Sequence, residues 1–268
     1  MNSKKILITG ATDGIGKCAA IDLAKKDNHL LIHGRNREKL DNIIKEIKSS
    51  TGNDNIEGFL ADFSSMAEVR QLAKSVLSKH DKVDILINNA GAGFAAQRYG
   101  KDGTELRMAV NYLAPFLLTN LLLPALKKAA PSRIVNVSSA GQCPVNFDDI
   151  MLEKNFDGTT AYCQSKLALI MFTIDLAEEL KANNVTVNAL HPGTYLDTNM
   201  VRDANIKPLG TPQSGADAEI FLATSRDLKN VSGKYFNIKK EAKANAQAYD
   251  AKARKRLNEL SLQLTGLA

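Results

Sequence analysis

The sequence predicts an α/β fold, a doubly wound parallel sheet of about seven strands with helices on both faces. Three observations carry this. Short β-rich runs alternate with longer helical patterns along the chain. Several of the runs are continuously apolar, as strands covered on both faces must be. The first run also feeds a glycine-rich turn that opens at once into a helix. Right-handed crossovers between such strands give a nucleotide-binding topology, in which ligands gather beyond the strands' carboxyl ends.

The strands are expected at residues 5–9, 29–33, 56–61, 83–88, 133–137, 185–190 and 234–236. The helices are expected at 15–26, 37–49, 65–79, 104–128, 160–182 and 211–224, with one more near the C-terminus. A chain of 268 residues is near the upper limit for one hydrophobic core, so 1–268 reads as one domain.

The formal net charge is +6, but seven basic and two acidic residues fall between Lys239 and Arg256. The excess therefore sits in a basic, helical C-terminal segment (239–268). With no nucleic-acid motif beside it, this segment reads as a solvated face, and no nucleic acid is expected; a membrane-surface contact stays open. The apolar stretch 113–126 is interrupted by Pro115, Thr119, Asn120 and Pro124 and is too short to span a bilayer, so no spanning segment is expected. Lys4 and Lys5 lead into a strand, not a signal peptide's apolar region. Cys18, Cys143 and Cys163 cannot all pair and share no metal-ligand spacing. They predict free thiols, a reducing and cytoplasmic setting, and no metal.

The turn after the first strand reads Thr9-Gly10-Ala11-Thr12-Asp13-Gly14-Ile15-Gly16. Glycines permit a sharp turn and close backbone approach, and the helix N-terminus behind them offers free N–H groups to a pyrophosphate. A tight turn without ligand is the alternative. The second strand ends at Gly34 and Arg35, where an NAD site normally carries an acid. Arg35 and Lys39 could pair with a 2′-phosphate, which favours NADP(H) over NAD(H); Asp13 argues the other way. Tyr162 and Lys166 lie four apart on one helical face, where an ammonium would lower the phenol's pKa for proton transfer. Pro115 has no N–H for the carbonyl of Asn111, which is left free to hold a water.

The spacing Gly10-x-x-x-Gly14-x-Gly16, the run Asn88-Asn89-Ala90-Gly91, Asn111, the pair Ser138-Ser139 and Tyr162-x-x-x-Lys166 together resemble the short-chain dehydrogenase/reductase family. The resemblance covers essentially the whole chain and implies a Rossmann-like fold. It implies that Tyr162 is the acid/base, that Lys166 also binds the nicotinamide ribose, and that Ser139 orients the substrate oxygen, with Ser138 as runner-up. Asn111 would support a relay water through its backbone carbonyl. Cofactor contacts would come from Gly10, Thr12, Asp13, Gly14, Ile15 and Gly16, from Asp62 and Phe63, and from Asn89, Ala90 and Gly91. Pro192, Gly193 and Thr194 would face the nicotinamide. For Asp62, a capping role before Ser64-Ser65 is the alternative. The threonine expected after this turn stands at Thr198, one place late.

The insert 142–159 and the run 111–122 resemble the retinol dehydrogenase and protochlorophyllide reductase branch. That implies a lipophilic carbonyl or alcohol substrate, and family resemblance implies a homodimer or homotetramer. Residues 196–211, rich in Gly, Pro and polar residues, are expected to be the substrate loop. A non-catalytic NADP(H) sensor or scaffold is the rival reading; loss of one of the four reaction-centre residues would mark it.

Overall fold

The continuous apolar runs become buried strands. In a computed structural model, which describes residues 3–93 and 97–268, β1 (Lys5–Ile8), β2 (His29–Gly34), β3 (Ile56–Leu60), β4 (Ile85–Asn88), β5 (Ser132–Val137), β6 (Val185–His191) and β7 (Tyr235–Asn237) run parallel. The order of these strands is β3-β2-β1-β4-β5-β6-β7, so the winding reverses between β1 and β4. Strand pleating sends Leu7 to one apolar cluster and Ile6 and Ile8 to the other. One cluster lies under α1 (Gly14–Ala24), α2 (Arg37–Thr51) and α8 (Pro212–Thr224). The other lies under α3 (Met66–Lys79), α5 (Ala114–Lys128), α6 (Gly158–Glu179) and α9 (Ala251–Thr265).

Local signals set the helix ends. Asn36 accepts from the Lys39 N–H at 2.9 Å to open α2, and left-handed Gly52 (φ 70°) closes it. Asp157 accepts from Thr159 and Thr160 to open α6, two residues before the expected start.

Three features refine these expectations. The sheet has eight strands, because β8 (Lys240–Ala242) adds antiparallel to β7. Its sequence, Lys-Glu-Ala, carries no apolar signal because it caps an exposed edge. The segment 239–268 is accordingly part strand, and its charges are not all solvated. Arg254 is buried and pairs with Asp175, and Arg256 meets Asp148 at 2.8 Å. Finally, α4 (Leu106–Met108), a π-helical turn (Ala109–Leu113) and α5 form one continuous helix, Leu106–Lys128. By length and composition it could cross a membrane, although 72% of its most apolar stretch is buried inside the protein.

The expected substrate loop also has internal structure. It contains α7 (Asn199–Arg202), and Leu196 bridges Gly210 at its base. The Asp197 N–H donates to the Gly210 carbonyl at 2.9 Å, and Arg202 pairs with Asp197 at 2.7 Å.

Candidate active site

The glycine loop packs so closely that side chains are excluded. A Cβ on Gly10 would lie 2.8 Å from the Ala90 Cα, and Gly10 has φ +66°. A Cβ on Gly16 would lie 2.3 Å from the Asn89 amide nitrogen. Asn89 donates to the carbonyls of Thr9 (2.8 Å) and Gly10 (3.0 Å), while Thr9 Oγ1 accepts from the Asn89 and Ala90 N–H groups. Thus Asn89, Ala90 and the glycine loop form one unit across β1 and β4. Gly91 lies beyond it, with its Cβ direction 3.6 Å from Lys166 Nζ.

Thr12 fills the space above Gly34, where a Cβ would lie 2.3 Å from its methyl group. Any side chain at Gly34 would therefore have to displace the Thr12 methyl group. Arg35 and Lys39 are both exposed and make no ion pair among the described residues. Asp13 caps α1, accepting from the Gly14 N–H at 2.7 Å, and its other oxygen accepts from the Asn199 amide. Its carboxylate is therefore turned into the loop and toward α7. Asp62 makes a turn: Oδ1 accepts from Ser64 N–H at 2.9 Å, and Oδ2 lies 3.4 Å from Lys101. The local role is the one its side chain makes. Phe63 is buried and stacks on His33, with centroids 4.2 Å apart. Its ring belongs to the core, so only its backbone can face a ligand.

The four reaction-centre residues come together at the carboxyl ends of β4 and β5. Lys166 is 4% exposed, donates to the Val137 carbonyl at 2.9 Å, and lies 5.7 Å from the Tyr162 ring centroid. Ser139 and Tyr162 share a side-chain hydrogen bond. Ser138 also lines the cavity, but its hydroxyl donates to the Lys166 carbonyl at 2.7 Å, which separates the two serines. Asn111 is buried; its side chain accepts from the Ala92 N–H and donates to the Ala92 carbonyl and to Ser165 Oγ. Ser165 in turn donates to the Tyr162 carbonyl at 2.7 Å. Sequence reasoning missed Ser165, although its place between Tyr162 and Lys166 on the helix was a signal.

The electrostatics depart from expectation. Burial holds the Tyr162 phenol above its ordinary range, against the hydrogen bond from Ser139. Burial also pushes the Lys166 ammonium down to about 8, opposed by the charge of Glu219. Burial, and not the lysine charge, sets the direction of the Tyr162 shift.

A cavity of about 290 Å³ opens onto Ser139 and Tyr162 and is walled by His191, Leu196, Met200 and Val201. Ile15, Pro192, Gly193 and Thr194 also line it. Gly193 has φ +140° and packs on Leu196. His191 lies 3.2 Å from Thr194 Oγ1, and burial lowers its pKa, so it is a neutral wall residue. Thr198 reaches the glycine loop in spite of its shifted place, with its side chain 3.0 Å from the Gly14 Cβ position.

This arrangement of glycine loop, parallel sheet and Asn-Ser-Tyr-Lys set defines a dinucleotide-dependent oxidoreductase. The sequence profile of the short chain dehydrogenase family matches residues 4–208, and the chain belongs to that family. It is 38% identical to mouse retinol dehydrogenase 13, covering 99% of this chain and 84% of the relative. It is 36% identical to human polyprenol dehydrogenase, covering 97% and 84%. Among solved structures, the Pseudomonas aeruginosa RhlG/NADP active-site complex superposes with a TM-score of 0.71 at 29% identity, covering 88% of this chain and 94% of that one. The chain is accordingly an oxidoreductase acting on CH–OH donors or the corresponding carbonyls with a nicotinamide dinucleotide.

Proposed function

We propose that the whole chain, 1–268, is an NADP(H)-dependent reductase or dehydrogenase of a lipophilic carbonyl–alcohol pair, with Tyr162 as acid/base. One observation carries this reading. The hydroxyls of Ser139 and Tyr162 are hydrogen-bonded to each other on the wall of one cavity, with Lys166 buried against the ring.

The residues present fit a dinucleotide. Gly10, Gly14 and Gly16 add no side chains to the loop at the α1 N-terminus, whose free N–H groups would meet a pyrophosphate. Arg35 and Lys39 are free to meet a 2′-phosphate, and Asp13, turned away into its cap, opposes this less than its position in sequence suggests. When bound, the nicotinamide supplies or takes up a hydride at the substrate carbon. Ser139 donates a hydrogen bond to the substrate oxygen, and Tyr162 delivers its proton there in reduction or accepts it in oxidation. Its raised pKa keeps the phenol protonated at neutral pH, which suits reduction. Lys166 fixes the ring edge and reaches the ribose.

Reprotonation of Tyr162 would run past Asn111. Pro115 has no N–H to return to the Asn111 carbonyl, and the helix widens to π form over Ala109–Leu113, with Ala114 N–H reaching back to Ala109. The Asn111 carbonyl, without its i+4 donor, would be the water-holding group of the relay.

The apolar walls Leu196, Met200 and Val201, and the retinol and polyprenol dehydrogenases among the relatives, support a lipophilic substrate. Three free cysteines support a reducing, cytoplasmic compartment. The test is a panel of retinoid, isoprenoid and small carbonyls with NADPH and NADH in parallel, on wild type and Tyr162→Phe. Turnover should favour NADPH and long apolar substrates and fall at least ~100-fold in Tyr162→Phe, with NADPH binding retained. Substantial turnover by that variant would refute the role of Tyr162.

A further inference from the structure

At the opposite rim of the sheet from Tyr162, three side chains from three elements converge. His29 opens β2, Glu57 follows on the neighbouring β3, and His80 ends α3. Their ligand atoms all lie within 4.8 Å of one another. Glu57 Oε1 is 2.8 Å from His29 Nε2 and 3.0 Å from His80 Nε2. The two imidazoles meet edge to face, with centroids 5.2 Å apart.

As a hydrogen-bonded cluster this arrangement is incomplete. His29 satisfies the shared oxygen. His80, whose side chain is only 7% exposed, stands at bonding distance from it, yet its Nε2 is buried without a hydrogen bond of acceptable geometry. A buried imidazole nitrogen so placed is costly unless something else accepts its lone pair. Lys79 approaches Glu57 through the other oxygen, Oε2, at 3.3 Å, and leaves Oε1 facing the two rings.

We propose that His29, Glu57 and His80 form a binding site for a borderline divalent cation, Zn²⁺ or its analogue Co²⁺, with water as the fourth ligand. Two imidazole nitrogens and one carboxylate oxygen suit such an ion, whereas Mg²⁺ and Ca²⁺ prefer all-oxygen shells. Ligand atoms of a tetrahedral zinc shell stand a little over 3 Å apart, so the 2.8 and 3.0 Å contacts to Glu57 would lengthen slightly as the ion enters. The site is distant from the chemistry, and its effect is to tie the edge strand β3 and its neighbour β2 to the end of α3. No sequence spacing reveals it, because each ligand sits on a different element.

The test uses the full chain, stripped with a chelator and titrated with Zn²⁺ by calorimetry, with Co²⁺ absorption as a second readout. One ion per chain should bind, and a ~100-fold excess over Kd should raise the thermal midpoint by about 5–10 °C. Mg²⁺ should do neither. Co²⁺ should give the visible bands of a tetrahedral nitrogen–oxygen site. Zn²⁺ binding should weaken at least ~10-fold in His80→Ala and in Glu57→Gln, each checked for folding by circular dichroism and NADPH binding. No saturable uptake by wild type, unchanged affinity in both folded variants, or a sulfur-to-cobalt charge-transfer band placing the ion on cysteines would overturn the proposal. If neither variant folds, the wild-type Co²⁺ spectrum decides.

Discussion

Ser138 and Ser139 are adjacent in sequence, but one bonds the Lys166 carbonyl and the other bonds the Tyr162 phenol. Ser139→Ala is expected to lower kcat at least ~10-fold with little change in thermal midpoint. Ser138→Ala should cost about 1 kcal/mol of stability and leave the reacting oxygen served. Steady-state kinetics and thermal melts on the pair check this; equal kinetic damage from both would contradict it. Glu219 shows a second residue-scale tension. It lies on α8, fully buried, and neither carboxyl oxygen has a hydrogen-bond partner among the described residues. Burial pushes its pKa up to about 8, opposed by Lys166. The folded value thus lies above that of the unfolded chain, so its contribution to stability is fully present below about pH 4.5 and is lost as pH rises toward 8. The loss is on the order of 3 kcal/mol at pH 7. Glu219→Leu should therefore melt higher than wild type at pH 7.5, by about 5 °C or more, with the gap closing toward pH 4.5. A constant gap across that range would dismiss the ionisation argument. This residue was illegible in sequence, where a glutamate within a mixed helix reads as solvated. The Tyr162–Lys166 pair was legible, but the sign of the tyrosine shift was not, because it depends on how deeply the phenol is buried.

At the scale of elements, the sequence announces what is buried on both faces. Runs such as Ile-Leu-Ile in β1 and Leu-Leu-Ile in β2 can be little else than central strands, whereas the polar edge strand β8 has no such mark. The π-helical turn is an intermediate case. Pro115 marks a missing bond in the sequence, but only the structure shows that the helix widens over Ala109–Leu113 before it continues as α5. Pro115→Ala restores a donor for Asn111 and should tighten that turn. Turnover should drop, by about 10-fold if the carbonyl holds the relay water, while Kd for NADPH stays level. A solvent isotope effect that is altered in the variant would locate the change in proton transfer. Unaltered turnover would remove the carbonyl from the relay.

For the whole molecule, the topology places chemistry at the rim where the winding reverses, and the C-terminal residues brace it from behind. Tyr112 in the π-helical turn bonds Ser261 of α9 at 2.5 Å, Arg70 of α3 holds the carbonyls that end α9, and Arg254 joins α9 to α6. What looked like a basic tail is thus a strut for the helices behind the cavity. On the opposite side, Asp13 and Asn199, 186 residues apart, join the glycine loop to α7. This contact joins the segment over the cavity to the loop proposed to seat the dinucleotide, as a latch would. The consequence expected of that arrangement is kinetic: a dinucleotide seated there would leave only after the latch opens, so its residence time, and not hydride transfer alone, would limit each cycle. Asn199→Ala should shorten that residence severalfold in stopped-flow release of NADPH, with pre-steady-state hydride transfer unchanged; an unaltered release rate would show that the latch does not govern exit.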